Sequence, residues 1–79
     1  MEVKQMGYKL KVDKKATGLK LYRLLENSEF SREEIADFLG LNSPRVIYDW
    51  TNGSKLPSTE NLLNLAKLFN VRVEDILAV

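Results

Sequence analysis

The sequence predicts an all-α domain of five short helices preceded by a short extended N-terminal arm. Its 79 residues leave room for one small hydrophobic core. Apolar residues make up 44% of the chain and charged residues 29%, as in soluble globular proteins. From Thr17 onward the apolar residues recur every three or four positions, which is the spacing of helices. We therefore divide the chain into an arm, residues 1–16, and a helical domain, residues 17–79.

The arm combines a strand-like pattern with a positive charge. Tyr8, Leu10 and Val12 alternate with charged residues, but no second strand follows. An unpaired strand must be flexible, lie on the helical body or pair with the same strand of a second copy. Residues 1–20 hold six lysines against two acidic residues, a balance of +4, whereas residues 21–79 hold six basic against nine acidic residues, a balance of −3. The arm is therefore either a solvated tail or the segment that attracts a polyanion.

The first two predicted helices have recognisable ends. Thr17 is the expected N-cap of the first helix, which ends near residues 27–28. Ser31 and Glu34 have the spacing of a capping box at the start of the second helix, and Gly40 ends that helix in a left-handed conformation. The side chains expected in the core are Leu21, Leu24 and Leu25 from the first helix and Ile35, Phe38 and Leu39 from the second. Leu25 and Leu63 exceed what a minimal core needs. Each belongs either to a slightly larger core or to a dimer contact.

The remaining helices complete the domain. Ser43 is the expected N-cap of the third helix, with Pro44 at its first position, and Asn52-Gly53 ends it. Ser58 caps a fourth helix, and a last short helix follows Arg72. The predicted buried side chains are Val46, Ile47 and Trp50 in the third helix, Leu62, Leu65, Ala66 and Phe69 in the fourth, and Val71, Ile76 and Leu77 at the end.

Composition excludes most catalytic and metal chemistry. The chain has no cysteine and no histidine, so it lacks a thiolate nucleophile, an imidazole base and a Cys/His zinc site. Its carboxylates, lysines and tyrosines form no recognisable acid/base cluster. We expect a protein that is not an enzyme and needs no cofactor, metal or small-molecule substrate. It has neither a secretory signal nor a membrane-spanning run, so we expect it in the cytoplasm.

Two short helices joined by a tight glycine-containing turn form the geometry of a helix-turn-helix motif. The motif here has small Ala36 where the helices approach, Gly40 in the turn and Trp50 against the core. With SREEIADFLGL, VIYDWTNG and KLPSTENLLNLAKLFNVRVEDIL, residues 17–77 resemble the Cro/C1-type (XRE, lambda-repressor-like) helix-turn-helix family.

This resemblance implies a five-helix DNA-binding domain that acts as a homodimer on a pseudo-palindromic operator to regulate transcription. The sequence differs from the family pattern in four places. The turn after Gly40 is one residue longer, and Arg32 replaces a glutamine that often touches phosphate. Thr51 replaces a glutamate that pairs with an arginine such as Arg23, and Arg72 stands where a capping residue or a proline is common.

The predicted recognition helix is about residues 43–52, in the major groove of double-stranded DNA. Arg45 is the expected base reader, because a guanidinium can bond guanine bidentately. Tyr48 is assigned to a phosphate or a thymine methyl, and Asp49 to a cytosine amino group or to orienting Arg45. Phosphate contacts are expected from Arg32 and Lys55, phosphate or base contacts from Asn42 and Ser43, and a backbone-level contact from Asn52.

Two alternatives remain open on sequence grounds. Arg45 and Asp49 can form an ordinary surface ion pair, and Tyr48 can be a partly buried aromatic residue with no role in binding. The domain can also be a protein-interaction module, for example antitoxin-like, that has kept this fold and lost most of its DNA affinity. The acidic balance of residues 21–79 is compatible with that second function.

Overall fold

The computed structural model describes residues 9–79, which contain four α-helices and a 3-10 turn and no strand. The all-α prediction is confirmed, but the count of five helices is wrong. The elements are α1 (Lys14–Glu26), α2 (Arg32–Leu39), α3 (Arg45–Thr51), α4 (Thr59–Phe69) and the 3-10 turn Val73–Asp75. None of these helices is long and apolar enough to cross a membrane.

The last predicted helix stops after one turn because the backbone beyond it bonds to α1. The N–H groups of Ile76 and Leu77 both donate to the Val73 carbonyl, at 2.9 and 3.0 Å. The Ala78 carbonyl then accepts from the Asp13 N–H at 2.8 Å, and the Leu77 carbonyl accepts from Lys20 Nζ at 2.9 Å. These tertiary bonds replace the helical bonds that would continue the segment.

Helix α1 begins four residues earlier than the sequence indicated. Asp13 is its N-cap, and the Asp13 carboxylate accepts from the Ala16 N–H at 3.0 Å. Thr17, the predicted cap, lies inside the helix with 1% of its surface exposed. Its hydroxyl accepts from the Ala78 N–H at 2.9 Å, so this side chain closes the fold instead of starting a helix.

The other helix ends follow the local sequence signals closely. Ser31 and Glu34 form both bonds of the capping box, at 2.8 and 3.0 Å, and Gly40 is left-handed with φ of 74°. Ser58 caps α4 by accepting from the Asn61 N–H. Helix α3 begins at Arg45, one position after the predicted start, and Pro44 takes the N-cap position that was predicted for Ser43. The Ser43 hydroxyl accepts from the Arg45 N–H at 3.3 Å.

One hydrophobic core joins all of these elements. Its buried members are Leu21, Leu25, Ile35, Ala36, Ile47, Trp50, Leu65, Ala66 and Ile76. Leu25 thus belongs to the core and not to a surplus surface, whereas Leu63 is 58% exposed. The prediction for Phe38 is wrong, since 52% of this side chain is exposed. Phe38 lies at the edge of the apolar side of α2, beyond the width that the neighbouring helices cover.

Helices α1 and α3 pack closely because Gly18 has no side chain. A Cβ atom at residue 18 would stand 2.5 Å from the Trp50 carbonyl oxygen and 2.9 Å from that of Thr51. At the same crossing, Gly53 has a φ of 81°, and a Cβ there would approach the Lys15 Cα to 2.8 Å. The two glycines therefore allow α1 to pack closely against the C-terminal end of α3 and the turn that follows it.

The predicted arm is only partly described. Residues 9–13 are not helical and make no strand, and Leu10 is 85% exposed. The expectations for residues 1–8, including the place of Tyr8 in the alternation, lie outside the described residues. The segment that is described meets the body at Asp13, through the bond to Ala78.

Candidate nucleic-acid interface

Helix α3 has one buried side and one side in solvent. Ile47 and Trp50 are 2% and 3% exposed and face the core, as predicted. The turn before α3 is fixed by Gly40 and by the Leu41 N–H, which donates to the Ala36 carbonyl at 2.8 Å. These contacts determine how α3 lies relative to α2 and leave the outer side of α3 in solvent.

The outer side of α3 carries most of the predicted site residues. Arg45 is exposed, and Tyr48 is 52% exposed. Two shallow surface hollows adjoin these side chains. One is lined by Leu41, Asn42, Ser43, Arg45, Val46, Asp49 and Lys55, and the other by Ser43, Pro44, Arg45, Tyr48 and Asp49. The structure thus brings six of the eight predicted residues into one continuous surface, together with Pro44, which was not among them.

Asp49 pairs with Lys55 and not with Arg45. The Asp49 carboxylate lies 3.8 Å from Lys55 Nζ, and the Asp49 carbonyl accepts from the Lys55 N–H at 3.1 Å. No ion pair between Arg45 and Asp49 forms within residues 9–79. The Asp49 charge is therefore partly balanced by the loop after α3, and the Arg45 guanidinium is left for an external acceptor.

Asn52 lies at the end of α3, outside both hollows. Its Oδ1 accepts from the Ser54 N–H at 2.9 Å and from the Ser54 hydroxyl. This side chain thus shapes the turn into Gly53. Thr51, which replaces the expected glutamate, bonds back to the carbonyls of Ile47 and Tyr48 at 3.2 Å.

Arg32, on α2, contacts side chains of α1 and α3. Its guanidinium carbon lies 4.8 Å from the centroid of the Tyr48 ring, and its Nη2 lies 3.7 Å from the Glu26 carboxylate. Only 20% of the Arg32 side chain is exposed, and its buried Nε has no hydrogen-bond partner among the described residues. Arg32 therefore joins the outer surface through Tyr48 and not directly.

Glu26 was not identified from the sequence. It ends α1, six residues before Arg32, and no helical spacing links the two because a loop intervenes. Its exposed fraction of 50% leaves the pair partly in water. The contact depends on how α1 and α2 approach each other, for which the sequence carries no local signal.

The outer surface offers several hydrogen-bond donors. Arg45, Lys55, Asn42 and Ser43 supply a guanidinium, an ammonium, an amide and a hydroxyl. Within residues 9–79 no three His, Cys, Asp or Glu side chains are close enough to hold a metal ion. This set of groups matches the acceptors of a nucleic acid, which are phosphate oxygens and base edges.

Comparison with known families identifies the domain. The helix-turn-helix family model matches residues 19–76, which include α2, α3 and the turn between them. The chain belongs to the Cro/C1-type helix-turn-helix family. Membership in this family supports a DNA-binding transcriptional regulator. No curated protein is similar enough in sequence to be counted as a relative.

A solved structure gives an independent comparison. The chain resembles the solution structure of the SOS-response transcriptional repressor LexA from Eubacterium rectale, with a TM-score of 0.74 and 28% sequence identity. The match covers 89% of this chain and 74% of the LexA chain. The helical arrangement is thus shared with a helix-turn-helix repressor.

Proposed function

We propose that this Cro/C1-type protein is a sequence-specific DNA-binding regulator of transcription and that α3 is its recognition helix. The observation that carries the proposal is the placement of Arg45 and Tyr48 in solvent while Ile47 and Trp50 fix the same helix to the core. A major groove is wide enough to admit an α-helix presented in this way. The family and the LexA likeness support the same function.

Each exposed side chain is assigned the contact its chemistry favours. Arg45, at the first position of α3, bonds guanine in the groove. Tyr48 lies one turn further along and reaches a thymine methyl or a neighbouring base edge. Asn42, Ser43 and Asn52 contact the backbone or base edges at the two ends of the helix. Lys55 contacts a phosphate oxygen in place of the Asp49 carboxylate.

We propose that the protein acts as a homodimer. Lys55 on the outer surface and Arg32 behind Tyr48 each lie within 4 Å of a carboxylate, at 3.8 and 3.7 Å. Phosphate neutralisation supplies much of the affinity for DNA, so one protomer with so few unpaired cations binds weakly. Two protomers on two half-sites double the contacts, and their symmetry requires a pseudo-palindromic site. A protein of this kind works where the chromosome is, in the cytoplasm of a bacterium.

Selection of bound duplexes from a random pool tests this function. The full chain is mixed with random duplexes at low salt, and the bound fraction is amplified and sequenced. We expect one enriched sequence made of two related half-sites. No bound duplex at tens of micromolar protein would contradict DNA binding and would favour the alternative of a protein-interaction module.

A further inference from the structure

The contact between Arg32 and Tyr48 joins the two helices of the motif on their solvent side. Arg32 is the first residue of α2, and Tyr48 lies in the middle of α3. The distance of 4.8 Å from the guanidinium carbon to the ring centroid is within the range of a cation–π interaction. A planar guanidinium over a planar ring restricts how the ring can turn.

The surroundings of Arg32 favour this contact over a contact with solvent. Its side chain is only 20% exposed, and Glu26 holds the guanidinium from the α1 side at 3.7 Å. The Nε atom is buried and has no partner among the described residues, so this one N–H is withdrawn from water. An arginine that only contacted phosphate would be expected to keep its guanidinium N–H groups in water before DNA binds.

Tyr48 is the side chain that gains from the arrangement. It is 52% exposed, so one part of the ring is covered while the rest remains available to a ligand. A half-exposed tyrosine that no neighbour restrains can adopt several rotamers. If one rotamer is already fixed in the free protein, the side chain loses less conformational entropy when DNA binds. Discrimination between bases requires the ring to meet the groove in one orientation.

We infer that Arg32 is a positioning residue for Tyr48: its guanidinium, held by Glu26, fixes the ring so that Tyr48 acts beside Arg45 as a second specificity-determining side chain. This inference rests on the proposed function. It differs from the phosphate contact that the sequence predicts for Arg32, and the two roles have different consequences. A phosphate contact strengthens binding to all sequences, whereas a positioning residue changes the preference at the base pair that Tyr48 meets.

Arg32→Lys separates the two roles, because lysine keeps the positive charge and the partner Glu26 but lacks the planar guanidinium. The probe is the duplex selected by the wild-type chain, together with duplexes that change one base pair each. Arg32→Gln removes the charge as well, and Lys67→Gln on α4 is its control for loss of one positive charge. Thermal unfolding checks that each variant is folded, and Tyr48→Leu identifies the base pair that depends on the ring.

We expect Arg32→Lys to reduce the discrimination at the Tyr48-dependent base pair by about three- to tenfold, with the salt dependence of binding unchanged. In Tyr48→Leu the same discrimination should already be lost, and adding Arg32→Lys should change it no further. Wild-type discrimination in Arg32→Lys, with equal weakening on all duplexes in Arg32→Gln, would overturn the inference and make Arg32 a phosphate contact. Failure of the wild-type chain to bind any duplex would overturn the proposed function as well.

Discussion

Gly18 on α1 lies against the Trp50 carbonyl on α3, at a distance that would place an added Cβ only 2.5 Å from the oxygen. The atom it would meet is backbone, which cannot rotate away as a flexible side chain can. The crossing of α1 and α3 therefore depends on the absence of a side chain at residue 18, and with it the position of the outer surface of α3.

Gly18→Ala should destabilise the fold. Alanine favours a helix over glycine by about 1 kcal/mol, but the clash with the Trp50 carbonyl forces the helices apart and costs more than that. We expect a net loss of about 1 to 3 kcal/mol in the free energy of unfolding, measured by urea denaturation. Gly40→Ala is the contrasting variant, because no atom lies within 4 Å of its Cβ position and only its positive φ opposes the change. Equal or greater stability in Gly18→Ala would contradict the close crossing.

Thr17→Val should loosen the end of the chain from α1. Valine has nearly the shape of threonine but cannot accept the hydrogen bond from the Ala78 N–H, which the hydroxyl takes at 2.9 Å. We expect a loss of about 1 kcal/mol in stability and faster hydrogen exchange of the Ala78 amide. Thr17→Ser keeps the hydroxyl and serves as the control. If Ala78 exchanges at the wild-type rate in Thr17→Val, the hydrogen bond is not what holds this segment.

Asp75 should titrate below its ordinary range. The Arg72 N–H donates to its carboxylate at 2.9 Å, and this bond lowers the pKa of Asp75 from 3.8, with the Arg72 guanidinium adding to the effect. Because the folded pKa is the lower one, the carboxylate stabilises the fold above its unfolded pKa, and this contribution is lost as pH falls through the folded pKa. Carbon-13 NMR titration of the Asp75 carboxyl measures this directly, and Arg72→Gln should raise the pKa. A pKa at or above 3.8 would contradict the geometry.

The N-terminal lysines should contribute to DNA affinity through charge. Deletion of residues 1–12 removes Lys4, Lys9 and Lys11 but keeps the Asp13 cap of α1. We expect the slope of log affinity against log salt to flatten by about 1 to 3, since each lysine at a phosphate adds about 0.9. Replacing only these three lysines with glutamine is the matched control for chain length. An unchanged slope would make the segment a passive tail.

Local signals in the sequence predicted those parts of the fold that depend on neighbouring residues. The Ser31–Glu34 capping box and the left-handed Gly40 follow from residues three to four positions apart, and both are confirmed. Thr17 was assigned wrongly because its partner, Ala78, is 61 positions away. The apolar spacing of α2 identified its buried side but not how far the other helices cover it, so Phe38 was misplaced.

The same division applies to the candidate interface. The buried Trp50 determines which side of α3 faces out, so the exposure of Arg45 and Tyr48 could be predicted. The pairing of Asp49 with Lys55 and the contacts from Arg32 to Glu26 and Tyr48 could not. They depend on loop geometry and on the approach of separate helices. Which bases each side chain reads remains a prediction.

If the exposed side of α3 reads bases in the major groove, the base preference of Arg45→Ala will show it most directly. Binding of wild type and variant is measured on the selected duplex and on duplexes with one base pair changed, with Lys67→Ala as the control for charge. We expect Arg45→Ala to lose about 1 to 3 kcal/mol of binding free energy on the selected duplex and to lose its preference at one base pair only. Equal weakening on every duplex, with all base preferences retained, would contradict it.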